Sequence, residues 1–257
     1  FKLTDEGDVN KFLGIEITKL DSSSFELAQP FLIDRLLQFL GLCNNSFETD
    51  ANSSSTPVAK GLLHRDLAGK PRKYNWRYRT AVGMLSYLQN STRPEIVMAV
   101  HQTARFSNEP MLSHEKAIMR LGRYLLDTRK RGIIYKPDRS KGLECYVDAD
   151  FAGGWTQADA SNAENVLSRT GYVIMYASCP ILWVSRLQTE IALSTAEAEY
   201  IALSQSLGDV ILVMFLIAEM NARFCIICMA PHIHCKCFED NANALEMTCF
   251  PKMHPCI

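Results

Sequence analysis

The sequence Leu143–Phe151 (LECYVDADF) marks the point at which apolar and polar residues begin to alternate along the chain. Such alternation is typical of a β-strand that buries one face. The residues that follow predict two more strands, a candidate strand extension, a long helix and a fourth strand, at Gly171–Ala177, Pro180–Arg186, Glu190–Leu193, about Thr195–Asn221 and His232–Phe238. This order indicates an α/β fold with a mixed sheet that begins antiparallel.

The chain before Leu143 is mainly helical in pattern, apart from a short β-rich run at Phe12–Thr18. A first helix is predicted to begin at Pro30 and to end at Gly41. Three further helical patterns are interrupted by prolines and lie at Trp76–Leu88, Glu95–Phe106 and Ser113–Leu126. The segment Asn44–Tyr74 is polar and rich in Ser, Asn, Lys and Gly, so it is predicted to be a linker or a long surface excursion.

The first predicted strand carries two acidic residues, Asp148 and Asp150, which share one face because they are two positions apart. Like charges on one face repel each other unless a cation or water separates them. One interpretation is a strand that simply ends in a polar loop, since Gly153 and Gly154 follow. The other is a platform for a divalent cation such as magnesium, which prefers carboxylate oxygens.

Glu199 lies on the apolar side of the predicted long helix. Helical steps from this residue lead to an apolar stripe formed by Leu203, Leu207, Val210, Ile211 and Met214. Glu197 instead leads to a more polar face, and it fits a capping box with Ser194. A carboxylate on the buried side needs a partner, which is either a bound cation or a basic side chain, and the helix alone leaves both open.

Asp240 follows the fourth predicted strand, so it is either part of an Asx turn or a third acid beside the first strand. Two metal ions held by such acids can activate a water molecule and stabilise the leaving oxygen in phosphodiester hydrolysis. Each acid alone is weak evidence. Their order, with one on a strand, one on a helix and one after a strand, favours a metal site.

The overall charge does not indicate a dedicated nucleic-acid-binding protein. The 257 residues have a formal net charge of -1, whereas such proteins are usually basic. The stretch Arg120–Arg131 does hold five basic residues against one acid. We interpret it either as a solvated helix face or as a patch that faces phosphates.

The longest uninterrupted apolar run, Val210–Ala218, is shorter than the roughly 20 residues that cross a bilayer, so no membrane association is predicted. Nine cysteines without a secretory leader suggest a reducing, intracellular setting, in a cytoplasmic particle or the nucleus, and not secretion. Cys225 and Cys228 have zinc-like spacing. Cys235 and Cys237 lie in a predicted strand, however, and free cysteine is often a buried apolar residue, so zinc is a minor alternative.

A series of different short motifs extends along nearly the whole chain. They are Leu3–Asp8 (LTDEGD), Phe12–Glu16 (FLGIE), Ser55–Pro57 (STP), Tyr78-Arg79 with Val82-Gly83, Thr92–Ile96 (TRPEI), His114 with Ala117 and Arg123–Leu125 (RYL), Tyr146–Asp150 (YVDAD), Arg169–Tyr172 (RTGY), Leu193–Tyr200 (LSTAEAEY) and Glu239–Asn241 (EDN). In this series the chain resembles the C-terminal part of copia-type (Pseudoviridae) LTR retrotransposon Pol polyproteins.

The resemblance implies four regions. Residues 1–43 would be the end of a reverse transcriptase, with its primer-grip strand and thumb helix, and residues 44–75 a polar linker. Residues 76–140 would form a helical connection. Residues 141–257 would form a ribonuclease H-like domain that is incomplete at its C-terminus.

The resemblance also implies an activity, which is two-metal cleavage of the RNA strand in RNA–DNA hybrids. Asp148, Glu199 and Asp240 would be the catalytic residues and the ligands of Mg²⁺ or Mn²⁺. The expected partners are the RNA–DNA hybrid and the rest of the polyprotein, namely the polymerase palm upstream and the integrase of the same element, without a membrane.

The chain departs from the family pattern at two places. The polymerase motif Tyr-x-Asp-Asp would lie before Phe1, and Tyr146–Asp150 resembles it only superficially because Ala149 separates the acids. After Pro251–His254 the family continues to a fourth acid and further strand and helix, which this sequence lacks. The alternative to an endonuclease is therefore a catalytically inactive remnant, or a co-opted fragment that acts as a binding or interaction protein.

Overall fold

The computed structural model describes residues 9–42, 55–58, 61–155, 157, 165–224 and 233–249. The chain divides into two compact units, with the boundary between Lys136 and Pro137. The predicted division into four regions stays a prediction.

The first unit contains a four-stranded sheet and a group of helices. Its strands are β1 (Lys11–Phe12), β2 (Ile15–Lys19), β3 (Phe25–Ala28) and β4 (Ile133–Tyr135). Its helices are α1 (Pro30–Leu40), α2 (Tyr78–Ser91), α3 (Val97–Ala104), which directly follows a 3₁₀ turn at Pro94–Ile96, and α4 (Leu112–Asp127). The strands pair antiparallel in the order β1-β2-β3-β4, so the last strand returns to the sheet only after all four helices.

The predicted β-rich run Phe12–Thr18 is confirmed as β-structure, and the chain makes a hairpin there instead of a single strand. Leu13 and Gly14 have φ angles of 49° and 78°, and β1 and β2 pair on either side of them. Two consecutive residues with positive φ form the tight turn whose twist matches antiparallel strands.

The predicted helices of the first unit are confirmed. α1 begins at Pro30, whose missing N–H costs nothing in the first turn, and it ends at Gly41 with φ 76°. The helices share one apolar core, to which α1, α2 and α4 contribute fully buried side chains such as Ile33, Leu85 and Ile118.

Residues 61–74, which the sequence predicted to be part of a linker, are fixed on these helices. The backbone N–H groups of Lys73 and Tyr74 each donate to the buried Glu115 carboxylate at 3.0 Å, and the Arg72 Nε donates to it at 3.2 Å. The Leu63 N–H donates to the Gln102 side chain at 2.9 Å. These contacts hold residues 61–74 against the helices of the first unit.

The second unit is a four-stranded sheet with two helices. Its elements are β5 (Leu143–Asp150), β6 (Arg169–Tyr176), β7 (Cys179–Leu187), α5 (Thr195–Phe224), β8 (Cys235–Phe238) and α6 (Ala242–Cys249). The strand order is β7-β6-β5-β8. The first three strands are antiparallel to each other, and β8 runs parallel to β5. The predicted α/β fold with a mixed sheet that begins antiparallel is therefore confirmed.

The candidate strand extension at Glu190–Leu193 was wrong, because these residues form no strand and lead into α5. The preceding Gln188 ends the meander: its Nε2 donates to the Ala198 carbonyl at 2.8 Å, and its backbone N–H donates to the Ser168 carbonyl at 2.8 Å. The side chain of Gln188 thus ties β7 to the first turn of the helix.

Helix α5 is long and apolar enough to cross a membrane, by length and composition alone. The sequence prediction relied on uninterrupted apolar runs and so missed this property. The helix packs on the sheet through Ala202, Leu203 and Val210, and a core helix passes the same test. The second half exposes large apolar side chains, among them Phe215 and Phe224.

Candidate functional site

Three elements of the second unit bring three carboxylates to one end of the sheet. The parallel strands β5 and β8 are in register at Tyr146 and Phe238. Asp148 and Asp240 each lie two residues further along, and therefore at the same level. Helix α5 adds Glu199 from its N-terminal part. The predicted order of strand acid, helix acid and strand acid thus corresponds to one place in the fold.

The carboxylate oxygens of these three residues are mutually close. One oxygen from each of Asp148, Glu199 and Asp240 lies within 4.8 Å of the other two. Asp148 and Asp240 are exposed, whereas Glu199 is 4% exposed. We call these three residues the carboxylate triad. It presents two exposed acids and one buried acid to the same point.

The buried member of the triad has few compensating contacts. The Ala149 backbone N–H donates to the Glu199 carboxylate, while its Oε2 atom has no hydrogen-bond partner among the residues described. Burial, together with the negative charges of Glu239, Asp148 and Asp240, raises the pKa of Glu199 to about 7. Without a cation, this part of the protein therefore disfavours the ionised form of Glu199.

The triad fits a hard divalent cation. Such ions take carboxylate oxygens as ligands, and the triad offers three side chains of that type within reach of one point. The unpartnered Oε2 atom of Glu199 is buried, and a buried polar atom without a partner costs free energy. A cation bound between the three acids would remove that cost and the mutual repulsion of the acids.

The two neighbouring acids that the sequence left in question lie outside the triad. The Asp150 carboxylate lies over the following loop, where a Cβ added at Gly153 would be 2.1 Å from its Oδ2. The Glu197 Oε2 accepts the Leu193 N–H at 2.7 Å, and its own N–H donates to Ser194 Oγ at 3.2 Å. Glu197 is thus a capping residue, as predicted, although it reaches one residue further back than in the usual capping box.

The sequence analysis missed Glu239, which is 9% exposed and lies next to the triad. Burial raises its pKa, and the nearby Asp240 and Asp148 raise it further, although the Asn241 N–H acts in the opposite direction. The signal was present in the alternation along β8, because Cys235 and Cys237 pack on the core and Phe238 is exposed. The next residue in that alternation faces inward.

An open cavity of about 370 Å³ lies at the triad. It is lined by Tyr146, Val147, Asp148, Cys237, Phe238, Glu239, Asp240 and Leu245. The rings of Tyr146 and Phe238 stack at 4.7 Å between their centroids on one side of it. The cavity leaves the exposed members of the triad open to solvent.

The basic stretch Arg120–Arg131 belongs to the first unit, and three of its side chains have partners within that unit. Arg120 donates to Thr56 at 2.9 Å, Arg131 donates to Tyr124 at 3.1 Å, and Arg129 forms an ion pair with Asp34. These contacts favour a structural role over a patch that faces phosphates.

The residues that carried the zinc alternative, Cys225 and Cys228, lie outside the described residues. Within the part of the chain that the structure describes, the carboxylate triad is the one group of three or more potential ligands that could hold a metal ion.

The chain is similar to Pol polyproteins of plant transposons. It is 28% identical to the retrovirus-related Pol polyprotein from transposon RE1 of Arabidopsis thaliana over 99% of the chain and 16% of that protein. It is 31% identical to the one from transposon TNT 1-94 of Nicotiana tabacum over 86% of the chain and 16% of that protein. A third relative, the secreted RxLR effector protein 161 of Plasmopara viticola, is 33% identical over 53% of the chain and 91% of that protein.

The chain spans about one sixth of the length of the Pol polyproteins that it matches. No family model matches it, and no solved structure shows significant similarity.

Proposed function

Because the chain belongs to the retrovirus-related Pol polyproteins of copia-type transposons, we propose that its second unit is a ribonuclease H-like domain that cleaves the RNA strand of RNA–DNA hybrids. One observation carries this proposal. Asp148, Glu199 and Asp240, from a strand, a helix and the end of a parallel strand, bring their oxygens within 4.8 Å of one another. The mixed strand order β7-β6-β5-β8 supports the same assignment.

Each carboxylate of the triad has a distinct role in this proposal. Asp148 and Asp240 line the open cavity, so their oxygens can face the phosphate that is to be cleaved. Glu199 is buried behind them and held by the Ala149 N–H, which fixes the position of the third ligand. Divalent cations, when bound there, would supply an activated water and neutralise charge on the leaving oxygen.

The partners and the cofactor follow from this proposal. The substrate is an RNA–DNA hybrid and the cofactor is Mg²⁺ or Mn²⁺, which suit a site made only of carboxylates. The remaining segments of a polyprotein, the polymerase palm and the integrase, are the proposed protein partners. The proposed setting is intracellular, in a cytoplasmic particle or the nucleus.

The test compares two aspartates that lie two residues apart on one strand. Asp148→Asn is expected to lower Mg²⁺-dependent cleavage of a labelled RNA–DNA hybrid by about 100-fold or more, since it removes a ligand. Asp150→Asn is the matched control and is expected to stay within about threefold of the wild type, because its carboxylate lies over Gly153. Equal effects of the two substitutions would contradict the assignment of Asp148.

A catalytically inactive or co-opted binding protein is the second candidate. It is favoured by the similarity to the secreted RxLR effector protein 161, 91% of whose length is matched by part of this chain. Binding of the hybrid without cleavage, equal in the wild type and Asp148→Asn, would support this candidate over the endonuclease.

A further inference from the structure

Glu239 occupies a buried position directly beside the carboxylate triad. It follows the last residue of β8, Phe238, whose ring is exposed and stacks on Tyr146. Cys235 and Cys237 face the opposite side and pack on the core. Alternation along the strand continues to Glu239, which accordingly faces inward and is 9% exposed.

The Glu239 carboxylate is only half satisfied. Its Oε1 atom accepts the Asn241 N–H at 3.1 Å. Its Oε2 atom is buried and has no hydrogen-bond partner among the described residues, as is also true of Glu199 Oε2. None of the ion pairs found in the described part of the chain includes either glutamate. Two neighbouring buried carboxylates without basic partners stay neutral by protonation unless a bound cation supplies positive charge.

The cavity at the triad connects Glu239 with the two exposed aspartates. Glu239, Asp148 and Asp240 all line it. Glu199 is the buried member of the triad and does not line the cavity. The volume of about 370 Å³ accommodates a cation with several water molecules, since a water molecule occupies about 30 Å³ in the liquid. Glu239 thus borders a space large enough for a hydrated ion.

Glu239 is not a fourth member of the triad itself, because its oxygens do not share the mutual 4.8 Å separation of the other three. Glu239 nevertheless directly precedes Asp240 in the chain and lines the same cavity as Asp148 and Asp240. These two facts together indicate a position next to the ion that the triad would hold.

We propose that Glu239 is a ligand of a second divalent cation, which it holds in the cavity beside the ion bound by Asp148, Glu199 and Asp240. This inference rests on the proposed function, which it deepens by assigning one acid of this chain to the second ion. Mg²⁺ and Mn²⁺ are the appropriate class of ion, because every available side-chain ligand is a carboxylate.

The test is a titration of the full chain with Mn²⁺ at pH 8, where Glu199 is ionised, with free Mn²⁺ measured by electron paramagnetic resonance. The wild type is expected to bind two ions. Glu239→Gln is nearly isosteric and is expected to keep one ion, with the second bound about tenfold more weakly or more. Glu246→Gln on the exposed side of α6 is the matched control and is expected to bind two.

Glu239→Asp serves as a second variant, since it retains the charge and is expected to recover the second ion in part. Thermal unfolding of each variant shows whether it is folded before the titration is interpreted. Two ions bound with unchanged affinity by Glu239→Gln would overturn the assignment of Glu239 and leave the proposed function standing. A wild type that binds a single ion, with binding lost in Asp148→Asn and kept in Glu239→Gln, would also overturn the assignment of Glu239 and leave the proposed function standing. No ion bound by the wild type would overturn the proposed function itself.

Discussion

The buried carboxylate of Glu199 destabilises the fold, although the proposed chemistry requires it. It is 4% exposed and has three acidic neighbours, Glu239, Asp148 and Asp240. An arrangement of this kind is unfavourable for folding alone, and functional sites are where strongly shifted carboxylates are concentrated. The cation-free protein should therefore be less stable at pH values at which Glu199 is ionised.

We predict that the stability of the cation-free protein falls as the pH rises from about 4.5 to about 7. The pKa of Glu199 is raised from 4.5 to about 7 in the folded chain, so the folded state binds more protons than the unfolded state in this window. Below the window both states are protonated and the penalty is absent; above it the penalty is complete. One pKa unit corresponds to about 1.4 kcal/mol, so the loss is on the order of 3 kcal/mol at most.

Urea unfolding in a chelating agent between pH 4 and pH 8 measures this loss. Glu199→Gln is expected to flatten the pH profile and to be more stable than the wild type at pH 8, with Glu246→Gln as a control that leaves the profile unchanged. Parallel profiles for the wild type and Glu199→Gln would show that Glu199 is not the group responsible.

At the residue scale, the sequence could predict the triad but not every neighbour. Helical phase and the capping motif separated Glu199 from Glu197, and the structure has the same separation in burial and contacts. Asp148 and Asp150 share a strand face, so periodicity could not distinguish them; the loop at Gly153 does. Arg93 appeared only as part of the motif Thr92–Ile96, yet it is fully buried and donates to Thr128, a partner 35 residues away.

At the scale of elements, the sequence predicted the helices and strands whose apolar residues repeat over many positions. It failed at short strands and turns. Helices α1 to α5 were found because their apolar residues repeat at helical spacing, whereas α6, with eight residues, was not predicted. β3 and β4 have four and three residues, too few for a period to be recognised. In α5 the apolar stripe was expected to face the sheet, but Ile211 is 51% exposed although its neighbours Val210 and Met214 pack on the core.

Two glycines in the helical unit offer a matched test of element boundaries. Gly41 ends α1 with φ 76°, a conformation that costs an alanine about 1 kcal/mol. Gly83 lies inside α2, and a Cβ added there would meet nothing within 4 Å, so alanine should stabilise by about 1 kcal/mol. We predict opposite shifts of the urea midpoint for Gly41→Ala and Gly83→Ala. Shifts of the same sign would contradict the assigned end of α1.

At the scale of the whole molecule, the change in sequence pattern near Leu143 corresponds to the boundary between two units at Lys136 and Pro137. The sequence could not show that β3 and β4 pair across the helices, because more than 100 residues separate these strands. Each unit has its own core, and the carboxylate triad, the cavity and Glu239 all belong to the second.

The most direct test of the proposed endonuclease is strand-resolved cleavage by the full chain of an RNA–DNA hybrid that carries a different label on each strand. With Mg²⁺ or Mn²⁺ we predict cuts in the RNA strand, an intact DNA strand, and loss of cleavage when a chelating agent removes the cation. A hybrid that is bound but stays uncut with either ion would contradict the proposed endonuclease. RNA cleavage that persists in the chelating agent would contradict a role for the cation site formed by Asp148, Glu199 and Asp240.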